Sequence, residues 1–542
     1  MWLINTRTLT LEEIHNPSAV KYAILSHTWE KEEVSFQDMA YLPKAKGKVG
    51  FAKIARTCEM ALEKEGLEYA WVDTCCIDKT SSAELSEAIN SMFQWYKQAD
   101  VCFVFLSDLS PQTKPQPSSR WPFHKAPEDA AILSSCKWFS RGWTLQELIA
   151  PTYVKFYDAS WQYRFTKDGE ASTLSAITRI DYNILAFKRE LTSVPVAVKM
   201  SWASRRETTR IEDRAYSLLG LFDINMPMLY GEGHKAFQRL QEEIVKETND
   251  LSLFAWLAAS SSKQPYRGAF AVSPSEFAHC ATLKQKSSMD IILTPFSITN
   301  RGISFQAVVF VSMPEDRCYI DLGCRTDGIC WSCGTEHVIR IGLQHTADGW
   351  VRKSPTECWL IKKPATFSRE REICIRKQVG WERSKVISKF PTHSFRVNFD
   401  LETDGRRIIV SPQHYWNPIS RSFAGEAFQE DFVATLIIPV TQPAHHRLML
   451  WLVKYLNGRE VVVLGMQPHP DWEIVEGQIP ESEGNIHRRE PILERFRHGA
   501  FEAGANADSQ WRVRIINRYG NQEVAYQAVA ASNMLVTVMR VH

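Results

Sequence analysis

The hydrophobic pattern changes period twice along the chain. Up to about residue 160, short apolar runs alternate with amphipathic segments. YAILSHTW from Tyr22, YAWVDTCCI from Tyr69 and VCFVFLSD from Val101 are rich in β-branched and aromatic residues and read as buried strands. Between the first two, KIARTCEMALEKEG from Lys53 has helical spacing and meets a stop at Gly66. Between the second and third, Ser81 and Glu84 form an S-x-x-E capping box. Leu85, Ala88, Ile89, Met92 and Tyr96 then recur at helical spacing. Strand, helix, strand, helix, strand predicts a parallel sheet covered by helices, with YVKFYD after Pro151 as a fourth strand. The stretch from Ser110 to about Pro127, rich in Pro, Ser and Gln, reads as an exposed loop.

From about 161 to 260 the pattern is mostly helical. EDRAYSLLGLF and HKAFQRLQEEIVKET carry helical apolar spacing, joined by the turn-rich NMPMLYGEG. Asp213 and Arg214 in the first of these read as an interface ion pair toward the N-terminal segment. From about 261 to 542 the period becomes that of strands. ISFQAVVFV, CYIDLGC, HVIRIGL, HSFRVNF, DFVATLIIPV, LMLWLVKY, REVVVLG, QWRVRIIN and LVTVMRVH are separated by turn signals such as Asn457-Gly458 and Asp404-Gly405. No fixed-period repeat is present. The expected architecture is therefore an α/β domain (1–160), a helical extension packed on it (161–260) and a β-rich sandwich or barrel (261–542).

Composition narrows the function classes. The net charge of +2, from 64 basic and 62 acidic side chains, supplies no large field to steer the chain onto nucleic acid or an anionic membrane. No apolar run is long enough to span a bilayer, and the N-terminus lacks the apolar stretch of a signal peptide. Twelve cysteines over 542 residues are too sparse for a disulfide scaffold, and a cytoplasmic protein with reduced thiols is expected.

In an open parallel sheet, ligands bind at the carboxyl ends of the strands. Those ends carry Ser26, His27 and Trp29 after the first strand, Asp73, Cys75 and Asp78 after the second, and Ser107 and Asp108 after the third. Each has a structural alternative: the aspartates as turn caps, His27 as a core hydrogen-bonder. Cys75 and Cys76 would point to opposite sides of an extended segment as packing residues. In SRGWTLQELIAP (140–151), Thr144 and Glu147 have capping-box spacing, and Trp143 and Leu148 that of a hydrophobic staple. Spacing alone thus makes Glu147 a helix cap. Cys330, Cys333 and His337 have ligand-like spacing. Zinc needs four such groups, so these are read as packing residues and no metal is assigned.

YAILSHTW, WVDTCCIDK, EAINSMFQWY and WFSRGWTLQELIAP occur in one order over most of residues 20–155. In that order they resemble the fungal heterokaryon-incompatibility domain. RRETTRIEDRAYSLLGLFDINMPMLYGEG is similar to the segment that follows it in one large subgroup. The resemblance implies an effector that triggers programmed cell death in non-self recognition. It also implies a TIR-like, flavodoxin-like fold, because the family resembles TIR domains and W-x-L-x-E-L is similar to their W-C-L-x-E-L. In TIR enzymes the glutamate of that motif acts in splitting NAD at the nicotinamide ribosyl bond, which here implies Glu147 as the catalytic residue with Trp143 beside it. NAD would be a substrate, and no cofactor is expected. The sequence departs from that pattern at SHTW, which lacks the arginine usual in plant TIR domains, and it has no Gly-rich phosphate loop. The alternative is a non-enzymatic module that self-associates through its N-terminal domain and recruits partners, with an unknown protein partner for the β-rich domain.

Overall fold

The computed structural model describes residues 1–111, 127–285 and 295–389 except for several loops in the last stretch. From residue 393 it describes the backbone of the strands alone. The expected loop at 110–127 and the Cys330, Cys333 and His337 group lie largely or wholly outside the described residues.

The first sheet has seven strands: β1 (Trp2–Asn5), β2 (Leu11–Glu13), β3 (Tyr22–His27), β4 (Tyr69–Trp71), β5 (Val101–Phe105), β6 (Val154–Tyr157) and β7 (Tyr163–Thr166), in the order β2-β1-β4-β3-β5-β6-β7. β3 pairs in parallel with β4 and β5, and β5 with β6. The parallel core therefore runs second, first, third, fourth, the order with which a flavodoxin-like sheet begins. β1 and β7 extend it antiparallel at either side. β3 and β5 are buried along their whole length, as expected for strands covered on both faces.

Among the described residues, seven α-helices belong to this unit: α1 (Phe36–Met39), α2 (Leu42–Lys46), α3 (Phe51–Glu65), α4 (Ser82–Gln98), α5 (Pro127–Ser135), α6 (Lys137–Ser140) and α7 (Thr144–Ile149). α3 ends at Gly66 in the left-handed region (φ 68°), where a side chain would be strained. α4 starts on half of the expected capping box. The Glu84 amide donates to Ser81 Oγ (3.3 Å), whereas the Glu84 carboxylate accepts from the Asp78 amide (3.0 Å).

The expected second strand is shorter than its apolar run. Beyond Trp71 the chain turns, with the amides of Cys75 and Cys76 both donating to the Val72 carbonyl. The two cysteines are therefore not extended neighbours on opposite faces. Both are buried in a turn that brings Asp73 and Thr74 to the sheet's carboxyl edge.

EDRAYSLLGLF forms two short helices, α11 (Asp213–Tyr216) and α12 (Leu219–Phe222), in a helical region that also contains α8 (Ala171–Thr178), α9 (Tyr182–Leu185), α10 (Val196–Ala203) and α13 (Lys235–Glu247). α12 lies against α4 with no space between Gly220 and Phe93. The Met226 amide donates to Asn90 Oδ1 of α4 (3.2 Å), fixing the same contact. Among the described residues, the expected ion pair of Asp213 and Arg214 with the N-terminal unit does not form. Asp213 instead accepts a hydrogen bond from Tyr230 within the helical region and one from Trp143 beside α7, so a neutral indole makes its contact with the N-terminal unit.

The expected sandwich or barrel is in part a barrel. Strands Ile303–Ser312, Phe367–Ile375, Gly349–Lys353, Val338–Thr346 and Arg317–Arg325 pair in that order, and the last pairs back to the first, closing five strands. Buried Arg352 in this barrel stacks on Trp256 and donates to the carbonyls of Phe254 and Trp256, joining it to the end of the helical region. Beyond it the strands form two antiparallel sheets, one of six and one of four. Among the described residues, no helix is long and apolar enough to cross a membrane.

Candidate functional site

The strand order reverses between β3 and β5, which places a crevice at their carboxyl ends. Ser26, at the end of β3, is fully buried. Its hydroxyl donates to Glu147 Oε2 and accepts from the Trp138 indole (2.7 Å). The carboxyl thus meets a partner 121 residues away in sequence, and the capping box of Thr144 and Glu147 does not form. Trp143 is already helical (φ −62°, ψ −35°), so the helix begins before Thr144 can cap it. The Thr144 hydroxyl donates back to the Trp138 and Arg141 carbonyls. Gln146, which had no role in the sequence pattern, packs on Met92 of α4. Buried Lys167 donates to the Leu148 and Pro151 carbonyls and so secures the C-terminal end of α7.

Glu147 is only 5% exposed. Burial, reinforced by the negative charge of Asp73, pushes its carboxyl up to about 8, against the pull of the Ser26 and Tyr96 hydroxyls. At neutral pH this side chain is mainly a neutral acid. His27 lies next along β3, with Nε2 3.5 Å from Asp73 Oδ1. Burial lowers its pKa, Asp73 opposing, so the imidazole stays neutral. Both of its ring nitrogens, and Thr74 Oγ1 in the turn after β4, are buried without a hydrogen-bond partner. Three unsatisfied polar atoms at one sheet edge are unusual in a folded interior and mark a place where a ligand or water can supply the missing bonds.

At the rim, Asp73 accepts from the Trp29 indole (2.7 Å), and Trp29 is 46% exposed. Lys79 sits over the Trp29 ring at 3.9 Å, a cation that sequence reasoning missed. Lys53, a lone lysine on the apolar face of α3, is buried against Glu33 (2.5 Å) and the Thr28 carbonyl (3.3 Å). Its position in the apolar stripe was the available signal. Tyr96, Trp138 and Arg206 were also missed as neighbours of Glu147.

Ser26, His27, Trp29, Asp73 and Glu147 therefore come together. Trp143 faces Asp213 on the far side of α7. Asp78 lies in the turn entering α4, where it accepts from Gln37 (2.6 Å) and Thr80. Cys75 is sealed, with burial raising its thiol well above the usual range. No group of His, Cys, Asp and Glu able to hold a metal occurs among the described residues.

Ser26 is the hinge of this network. Ser26→Ala is expected to destabilise the protein by about 1–3 kcal/mol, because the buried Trp138 indole loses its acceptor. The Glu147 carboxyl should titrate at still higher pH, since the serine bond favours the ionised form. Urea unfolding and the infrared carboxyl band measure the two effects.

Residues 22–147 match the family model described as Heterokaryon incompatibility protein (HET), and residues 235–299 match a Domain of unknown function (DUF8212). The chain is similar to Vegetative incompatibility protein HET-E-1 of Podospora anserina, with 44% identity over 237 residues. That match covers 43% of this chain and 16% of the relative's length. No solved structure matches.

Proposed function

We propose that this fungal heterokaryon-incompatibility-domain protein is an effector of non-self recognition that triggers programmed cell death, and that its N-terminal domain does so by cleaving NAD. Family membership and the vegetative-incompatibility relative support the first part. The second rests on one observation: the Glu147 carboxyl lies at the sheet's switch point against Ser26, close enough to Asp73 to feel its charge. The TIR-like motif resemblance supports the same residue.

The reaction is hydrolysis. The bond from ribose C1′ to the nicotinamide nitrogen breaks, and its electron pair leaves with nicotinamide. Water adds at C1′ and releases a proton. The positive charge that develops on the ribose is stabilised by a carboxylate. In the closed arrangement Glu147 is neutral and covered, which is the wrong state for this task. Opening the crevice to water returns the carboxyl toward its ordinary value of 4.5, ionises it and admits the substrate in one movement. Self-association, or a signal received by the β-rich region, supplies that opening.

The seal over Glu147 also favours a second reading, in which the domain signals by self-association alone. Cells expressing the wild type and Glu147→Gln separate the two. NAD should fall before death in the wild type, and both effects should be absent in the variant. Death with NAD intact would leave the non-enzymatic reading.

A further inference from the structure

At the start of α7 lies a cavity of about 220 Å³. Its walls come from three parts of the chain: Gly142 ahead of α7, residues 203–208 with Arg214 and Ser217, and residues 273–275. The volume is far above the ~10–15 Å³ that holds one water. Arg205, Arg206 and Arg214 line it together with the hydroxyl of Ser217, and Glu207 is the single carboxylate among the lining residues.

The charges in this wall are not satisfied from within. Arg206 spends one end of its guanidinium on the Arg141 carbonyl and Thr144 Oγ1, both at 2.8 Å. Its Nη2 is buried without a partner. Arg205 and Arg214 have no side-chain hydrogen bond or ion pair among the described residues. Three guanidinium groups around one concavity repel one another, and the buried Arg206 Nη2 lacks an acceptor that an anion would supply. The planar fork of arginine matches the oxygens of a phosphoryl group. We propose that this cavity binds a small anion carrying one or two phosphoryl groups. The wall is assembled from separate stretches of one chain, and its size fits a small molecule rather than an extended peptide.

The position gives the site a consequence. Gly142 meets the 207–208 backbone closely: its amide donates to the Glu207 carbonyl (2.8 Å), and a Cβ there would lie 2.5 Å from Thr208. Arg206 grips Thr144, three residues ahead of Glu147. A bound anion would tie the helical region to the base of α7 and hold Glu147 in its closed position. Binding itself does not depend on Glu147 being catalytic.

Thermal unfolding of the full chain against inorganic pyrophosphate and orthophosphate, at constant ionic strength, tests the site. A saturable rise in Tm is expected. Arg214→Gln removes a side chain with no internal partner, so its ligand-free Tm should stay near that of the wild type. Its half-saturating concentration should rise roughly tenfold or more. Arg205→Gln, at an exposed position, provides a second variant with the same expectation. No response to either anion at millimolar concentration, or an unchanged response in both variants, overturns the proposal.

Discussion

Glu147→Gln is expected to be as stable as the wild type near pH 4.5 and more stable above pH 8. The native carboxyl titrates at about 8 because burial, and then Asp73, disfavour its charge, whereas in the unfolded chain it titrates near 4.5. The native state therefore holds a proton that the unfolded state releases between these values. The resulting stabilisation is complete below about 4.5 and is lost as pH rises to about 8. Above that, folding the wild type buries either a charge or the cost of neutralising it. At ~1.4 kcal/mol per pH unit the gap between variant and wild type should grow to the order of 3–5 kcal/mol. Glutamine keeps the shape and accepts the Ser26 hydrogen bond without titrating. Urea unfolding of both proteins from pH 5 to 9 measures the gap. A gap that does not change with pH would show that Glu147 is not held neutral.

Gly220→Ala should loosen the helical region from the N-terminal unit. A Cβ at this position would lie 2.0 Å from Phe93 Cβ and 2.5 Å from its Cγ. Both sides of this contact are helices, α12 and α4, so neither can yield locally. A loss of roughly 2–3 kcal/mol is expected, the upper range for overpacking. Phe93→Ala opens a cavity at the same point. The double variant should therefore lose less than the sum of the single ones when unfolding free energies are compared. Additive losses would place the two residues out of contact.

These two sites differ in how far the sequence reveals them. The parallel strands and their helices follow from local pattern, because a strand buried on both faces is a continuous apolar run and Gly66 and Ser81 mark helix ends. β1 and β2 do not, since nothing in an alternating β-α order announces an antiparallel addition at its edge. Closure of the barrel likewise depends on Ile303–Ser312 meeting Arg317–Arg325, a pairing between strands already paired on their other sides. Glu147 is the sharpest case. Its neighbours in sequence specify a capping box, yet Ser26 and Tyr96 recruit its carboxyl inward, and Arg206 and Arg141 occupy Thr144. Tertiary contacts outweighed a local motif worth about 1 kcal/mol. The candidate site was legible at Ser26, His27 and Asp73 because strand ends can be read. It was not legible at Tyr96, Lys53 or Arg206, whose roles depend on which helix faces lie against the crevice.

We propose that Glu147 drives NAD cleavage when the closed site opens. Nicotinamide release from NAD by the purified, self-associated protein tests it most directly, with Glu147→Gln as the partner measurement. Release by the wild type is expected, with its loss in a variant that remains folded and associates equally well. Associated wild-type protein that leaves NAD intact, or a glutamine variant that cleaves it as fast, would rule out catalysis by Glu147.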